Sequence, residues 1–295
     1  MSNLTELMNS KRFVVTAELN PPKGADLKSL FGHADALADS VDAFNITDSA
    51  SSRMAMAPVG VAHLLLSRGI TPILQVTGRD RNRIAIQADL LSAHALGITD
   101  LVCMTGDPPN AGDHPEAKAV FDLSGVAILQ AITALQAGQD MMGNPLTGAP
   151  SFGVGAVVNP GAPDLDGEIQ RMEQKIEAGA QFFQTQAVYE PDVFGEFMDA
   201  VRPFNVPVLA GLIMLKSASM ARWLNSNLPG ISVPDHLIQE MENADDRVQK
   251  SVEISARIIR DIKGLCAGVH IMPIGWESRI PRVLHTSGIT AERGS

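Results

Sequence analysis

Short apolar runs that stop at a polar or glycine-bearing turn recur along this chain, with segments of helical apolar spacing between them. Few architectures accommodate that alternation. The candidate strands are Phe13–Glu18, Ala43–Thr47, Pro72–Thr77, Leu101–Met104, Gly153–Val158, Phe182–Gln186, Val206–Leu212 and Val269–Ile274. Most are continuous apolar runs, as expected of strands covered on both faces. Helical patterns follow at Leu27–Ala38, Val59–Leu66, Ile84–Leu96, Val126–Leu135, Glu168–Ala178, Val193–Val201, Ala218–Leu224 and Val248–Ile262, with a short extra one at Pro234–Glu242. Eight strands and eight helices in 295 residues predict an α/β fold, a (β/α)8 TIM barrel, as one domain over residues 1–295. Within it, residues 1–12 read as an N-terminal extension and residues 285–295 as a C-terminal tail. An open doubly wound sheet is the runner-up, weakened because no strand is followed by GxGxxG.

Composition narrows the function classes. With 45% hydrophobic residues the chain can bury a large core. A net charge of −10 favours neither nucleic acid nor an anionic membrane. The two cysteines, Cys103 and Cys266, sit in no metal-binding spacing, so no metal site is expected. The stretch Met1–Arg12 is polar and no apolar run is long enough to span a bilayer, so the expected location is the cytoplasm.

In a parallel barrel, active sites form where the strands end. Three such ends carry polar groups: Glu18 before Asn20-Pro21-Pro22, Thr47-Asp48 before a serine-rich loop, and Thr105-Gly106-Asp107 after a buried strand. A glutamate ringed by apolar strand ends has its pKa raised and suits general acid work; the alternative is a solvated side chain at a loop start. The serine-rich loop suits close approach to a ligand, or simply caps a helix. Arg79, Arg81 and Arg83, just ahead of a helix, form a candidate anion site; the alternative is a solvated face paired with Asp80 and Asp89. The polar loop Gly112–Asp122, with His114, Lys118 and Asp122, is a candidate cofactor cover. Gln186 at the end of the sixth strand suits a ring with donor and acceptor edges, or bonds backbone. Tyr189 and Trp276 either stack on a flat ligand or pack at the rim, and Lys175 reads by default as a surface lysine.

Taken together, the segments Thr16–Pro22, Asn45–Asp48, Gln75–Thr77, Thr105–Asp107, Lys175–Ala180, Gln184–Gln186 and Gly268–Met272 resemble the methylenetetrahydrofolate reductase family, from Phe13 to about Leu284. The basic run at Arg79–Arg83 and the loop Gly112–Lys118 resemble the subgroup of anaerobic and methyl-transfer one-carbon pathways. The resemblance implies a flavin-bearing barrel that interconverts 5,10-methylene- and 5-methyl-tetrahydrofolate. Glu18 would be the acid that opens the folate ring, Asp107 the carboxylate beside flavin and pterin, and Gln186 the amide on the pterin edge. Cofactor contacts are expected from Thr47, Asp48, Gln75, Thr77, Arg79, Thr105, Gly106, His114, Lys118, Asp122 and Lys175. The cofactor would be FAD or FMN, with electrons from NADH or from a partner subunit carrying iron–sulfur clusters, and a homo-oligomer is expected. Thr105, Gln75 and Val157 depart from the family pattern, where Arg, His and an aromatic residue stand. A flavin-free nicotinamide-dependent reductase, a pterin-binding methyltransferase barrel and a non-catalytic assembly subunit are the competing readings.

Overall fold

The computed structural model describes residues 4–10, 12–228 and 230–289. Eight parallel strands close on themselves in sequence order, the barrel expected from the alternation. They are β1 (Val14–Leu19), β2 (Ala43–Ile46), β3 (Pro72–Thr77), β4 (Asp100–Met104), β5 (Gly153–Val158), β6 (Phe182–Ala187), β7 (Val208–Ile213) and β8 (Gly268–Met272). The helices are α1 (Leu4–Asn9), α2 (Lys28–Leu37), α3 (Pro58–Leu66), α4 (Arg83–Ala95), α5 (Gly125–Gln136), α6 (Leu165–Glu177), α7 (Pro191–Val201), α8 (Ala218–Asn227), α9 (Asp235–Glu242), α10 (Arg247–Ile262) and α11 (Ile280–Ser287). None of them is long and apolar enough to cross a membrane.

Strand side chains alternate between two cores. Val15, Ala17 and Leu19 of β1, with Phe44 and Ile46 of β2, join the larger core beneath the helices. Val14, Ala43, Ile73, Val102, Phe182 and Leu209 fill the base of the barrel interior. Above them the interior turns polar, and its polar groups find partners. Asn45 and Gln184 exchange amide hydrogen bonds of 2.6 and 3.0 Å across the barrel. Thr16 Oγ1 lies 3.0 Å from His270 Nδ1, and burial pushes this histidine down to about 4, so it is neutral at physiological pH.

Both ends of the chain depart from the sequence reading. The expected polar extension contains α1, whose Leu4 and Met8 are almost fully buried against the base of the interior core. The Leu4 amide donates to Asp100 Oδ1 at 2.9 Å, tying this plug to the start of β4. Leu4, Leu7 and Met8 share one helix face, and burying Leu4 and Met8 contributes roughly 1.5–3 kcal/mol each. At the other end α11 runs to Ser287, three residues into the expected tail, with Leu284 and Ser287 buried. It is the helix of the eighth unit. The sequence count reached eight without it because α8 and α10 both follow β7 and were scored separately. The rest of the expected tail, from residue 290, lies outside the described residues.

Candidate active site at the carboxyl end of the barrel

Glu18 occupies the last inward-facing position of β1, flanked by buried Ala17 and Leu19. Strand ends wall in its stem while its carboxyl group looks into a cavity of about 670 Å³, shared with Asn20, Thr47, Lys23, Arg53 and Ile274. Burial pushes the carboxyl pKa up to about 7; a side-chain hydrogen bond from Asn20 opposes the rise, and the charge of Glu277 adds to it. Thr47, at the end of β2, donates to Asn20 Oδ1 at 2.9 Å. Glu277 follows β8, nearly buried, and accepts from the Gly275 amide at 3.1 Å.

Three loops close over this cavity, and Asp113 joins them. Its carboxylate pairs with Lys23 from the loop after β1. It also accepts from the Met54 amide, after β2, at 2.9 Å, and from its neighbour His114 at 2.9 Å. These bonds hold the Asp113 carboxyl far below the usual carboxylate range, Lys23 being the main cause. Ser52 Oγ donates to the Asp107 carbonyl at 2.7 Å, and a Cβ on Gly112 would sit only 1.8 Å from the Ser52 carbonyl oxygen. Strain gathers here too. Ser49, Ser51, Ser52 and Ile274 all take left-handed backbone with φ of 47–55°, which is costly for a β-branched isoleucine. A second cavity of about 230 Å³ opens beside the first; Arg53 and Met54 line both, and Ser49, Ser52, Arg79 and His114 line the second.

The three arginines after β3 all meet carboxylates. Arg79, 3% exposed, forks onto Asp80 at 2.6–3.0 Å and reaches Ser52 Oγ at 3.1 Å. Arg81 pairs with Asp89 at 2.8 Å and with Asp48. Arg83 bonds Asp122 at 2.8 Å. The pairing with Asp80 and Asp89 that stood as the alternative to the expected anion site is present, with Asp48 and Asp122 as further partners, but Arg79 is buried rather than solvated. Arg53 carries no carboxylate partner among the described residues, which leaves it the available guanidinium at the junction of the two cavities.

A profile described as methylenetetrahydrofolate reductase matches residues 3–288, nearly the whole chain. The chain belongs to the methylenetetrahydrofolate reductase family. It is 26% identical over 238 residues to methylenetetrahydrofolate reductase 2 of Schizosaccharomyces pombe, covering 76% of this chain and 37% of that one. A probable methylenetetrahydrofolate reductase (NADPH) of Caenorhabditis elegans is 22% identical, covering 75% of this chain and 33% of that one. The chain thus spans about a third of the length of the curated relatives it matches. Among solved structures, an uncharacterized protein from Clostridium thermocellum that binds two copies of 5-methyl-5,6,7,8-tetrahydrofolic acid superposes with a TM-score of 0.68 at 18% identity, over 97% of each chain. That likeness shows the fold.

Against the family pattern, the expected site residues fall into distinct groups. Glu18 and Thr47 share the larger cavity, and His114 and Arg79 the smaller. Asp48 is engaged within the wall: its carboxylate accepts from the Thr77 amide and hydroxyl, both at 2.9 Å. Thr105 Oγ1 accepts from the Gly125 amide at 3.2 Å and so holds the start of α5. Gly106 has a φ of 92° and packs against Thr77 and Arg79, which suits glycine. Asp107 is exposed beyond the end of β4 and is not part of the Glu18 cavity wall. Gln75 is buried in β3, Gln186 is half-buried at the end of β6, and Lys118 is exposed. Lys175 turns inward from the last turn of α6 and donates to the Val157 carbonyl at 2.7 Å, so its ammonium is engaged between helix and strand rather than at the surface. Burial lowers its pKa. Tyr189 packs in the wall with its hydroxyl on the Ile213 carbonyl at 2.8 Å, while Trp276 lies under the Lys216 ammonium, 5.5 Å from the ring centre. Sequence reasoning missed the joining role of Asp113; its partners come from other loops, and no local pattern announces them.

Proposed function

We propose that this protein interconverts 5,10-methylenetetrahydrofolate and 5-methyltetrahydrofolate. The observation that carries the reading is Glu18: a carboxyl group titrating near neutrality on the wall of a ligand-sized cavity, at the end of a barrel strand, in a member of this family. Protonated Glu18 gives its proton to N10 of the bound folate as the five-membered ring opens, leaving the one-carbon unit on N5 as an iminium ion. In the reverse direction the Glu18 carboxylate takes the N10 proton back. To Asp107, which carries no ion pair among the described residues and stands outside the Glu18 cavity wall, the family resemblance assigns the negative charge that favours the cationic folate. Gln186 offers an amide to the pterin edge.

In the second cavity Arg53, His114 and the hydroxyls of Ser49 and Ser52 would hold the anionic end of a flavin nucleotide; Arg79 lines it as well, paired with Asp80 of the same wall. A flavin held there would supply the hydride chemistry for the one-carbon unit. Its electrons would come from a nicotinamide, as the names of relatives specifying NADPH or NADH suggest, or from a partner subunit carrying iron–sulfur clusters. The test is an absorbance spectrum of the purified protein, repeated without air after adding 5-methyltetrahydrofolate. A flavin band that bleaches with the folate supports the reading, and no flavin even after reconstitution overturns it. Glu18→Gln is expected to lower folate turnover by about 10²–10⁴-fold while the donor still reduces the flavin. Loss of both half-reactions together would remove Glu18 from the acid role.

A further inference from the structure

We propose that Ile274 is a substrate-positioning residue, held over the Glu18 cavity by a strained turn so that its side chain packs against the aminobenzoyl ring of the folate. This rests on the folate reading of the site and deepens it. Strand β8 ends at Met272, and its pairing of Ile271 with Ala17 delivers the chain to the end of β1 that carries Glu18. The turn that follows places two residues in succession in left-handed backbone, Ile274 with a φ of 47° and Gly275 with 82°. Glycine adopts that region freely, whereas a β-branched side chain crowds its own backbone there. The turn is braced. The Trp276 amide donates to the Pro273 carbonyl at 3.1 Å, and the Gly275 amide to the carboxylate of nearly buried Glu277 at 3.1 Å. Strain of this kind persists where the surroundings hold the residue in place.

Packing inside the protein does not account for an isoleucine at this position. It is 42% exposed and lines the cavity of Glu18. Among the described residues, Met54 is the one other large, exposed apolar side chain on that wall. Met54 has an unbranched, adaptable side chain, whereas Ile274 is stiff at χ1 and fixed by its turn. The remaining wall is polar, apart from small or buried residues. The reaction says what this rigid apolar surface meets. N10, the atom that receives the Glu18 proton, is bonded directly to the aminobenzoyl ring. A folate placed with N10 at Glu18 therefore brings that flat apolar ring into the cavity that Ile274 lines. Contact removes apolar surface of both groups from water, and a stiff side chain loses little freedom in making it. Ile274 thereby sets where the ring lies, and with it the place of N10.

The experiment is calorimetric titration without air, using 5-methyltetrahydrofolate and 6-methyltetrahydropterin; the second keeps the pterin and lacks the aminobenzoyl ring. Ile274→Gly and Ile274→Asn both accept left-handed backbone and remove the apolar surface. Each is expected to weaken 5-methyltetrahydrofolate binding about tenfold, the size of one lost apolar contact, and to leave the pterin affinity unchanged. Their thermal unfolding midpoints are expected to equal or exceed that of the native protein, because strain is released while little packing is lost. A side chain kept for the fold alone would give the opposite result, so midpoints lowered in both variants overturn the proposal. Unchanged folate affinity in both overturns it too, as does an equal loss for the two ligands, which would set Ile274 against the pterin. A native protein that binds 5-methyltetrahydrofolate while the variants match it defeats the proposal alone. A native protein that binds none defeats the folate reading, and the proposal with it.

Discussion

At the residue scale, the burial that suits Glu18 to acid work also costs stability. Its carboxyl group is held at about 7 in the fold against 4.5 in the unfolded chain. Below the unfolded value both states are protonated and the fold suffers no penalty. Between 4.5 and about 7 the unfolded chain ionises first, so stability falls as pH rises across that window. Glu18→Gln should therefore match the native protein in thermal unfolding near pH 4 and exceed it by about 1–3 kcal/mol at pH 8. Identical pH dependence in the two proteins would show that the carboxyl group is ordinary. The sequence pointed to Glu18 because a charged residue closes an apolar strand. It could not reveal Glu277 as a neighbour that adds to the shift, since Glu277 meets it only once β1 and β8 lie side by side.

At the scale of elements, the cavity wall is a set of loops held together by few bonds, and Asp113 carries several of them. Asp113→Ala removes the partner of Lys23 and the acceptor for the Met54 amide. The expected result is faster proteolysis within residues 107–122 and a raised KM for folate with a smaller change in kcat; unchanged proteolysis would show that the loops hold without it. Gly112→Ala forces its new Cβ onto the Ser52 carbonyl, and should lower stability by about 1–3 kcal/mol, read as a drop in Tm. The strands were legible because apolar runs stop at Pro, Gly, Asp or Asn. The alternative for the arginine run was legible too, since acidic residues lie within a few positions of Arg79 and Arg81. Asp48 and Asp122 were not, because a loop must fold back to bring them in. Helix α11 escaped notice because it is eight residues long with Pro281 at its second position.

At the scale of the molecule, the barrel is open at one end and stoppered at the other. Leu4→Ala should cost about 2–4 kcal/mol if α1 is packed as a core element, measured by denaturant unfolding, while a change near zero would make the segment an ornament. Burial also raises the pKa of Asp100, which receives the Leu4 amide. The stopper has a consequence for synthesis. Leu4 and Met8 leave the ribosome before any strand does, yet the cage that receives them includes Phe182 and Leu209. Helix α1 is thus made before the strands that seat it. A nascent chain carries two unsheltered apolar side chains through the synthesis of the strands, waiting for a floor that Ala267 and β8 complete.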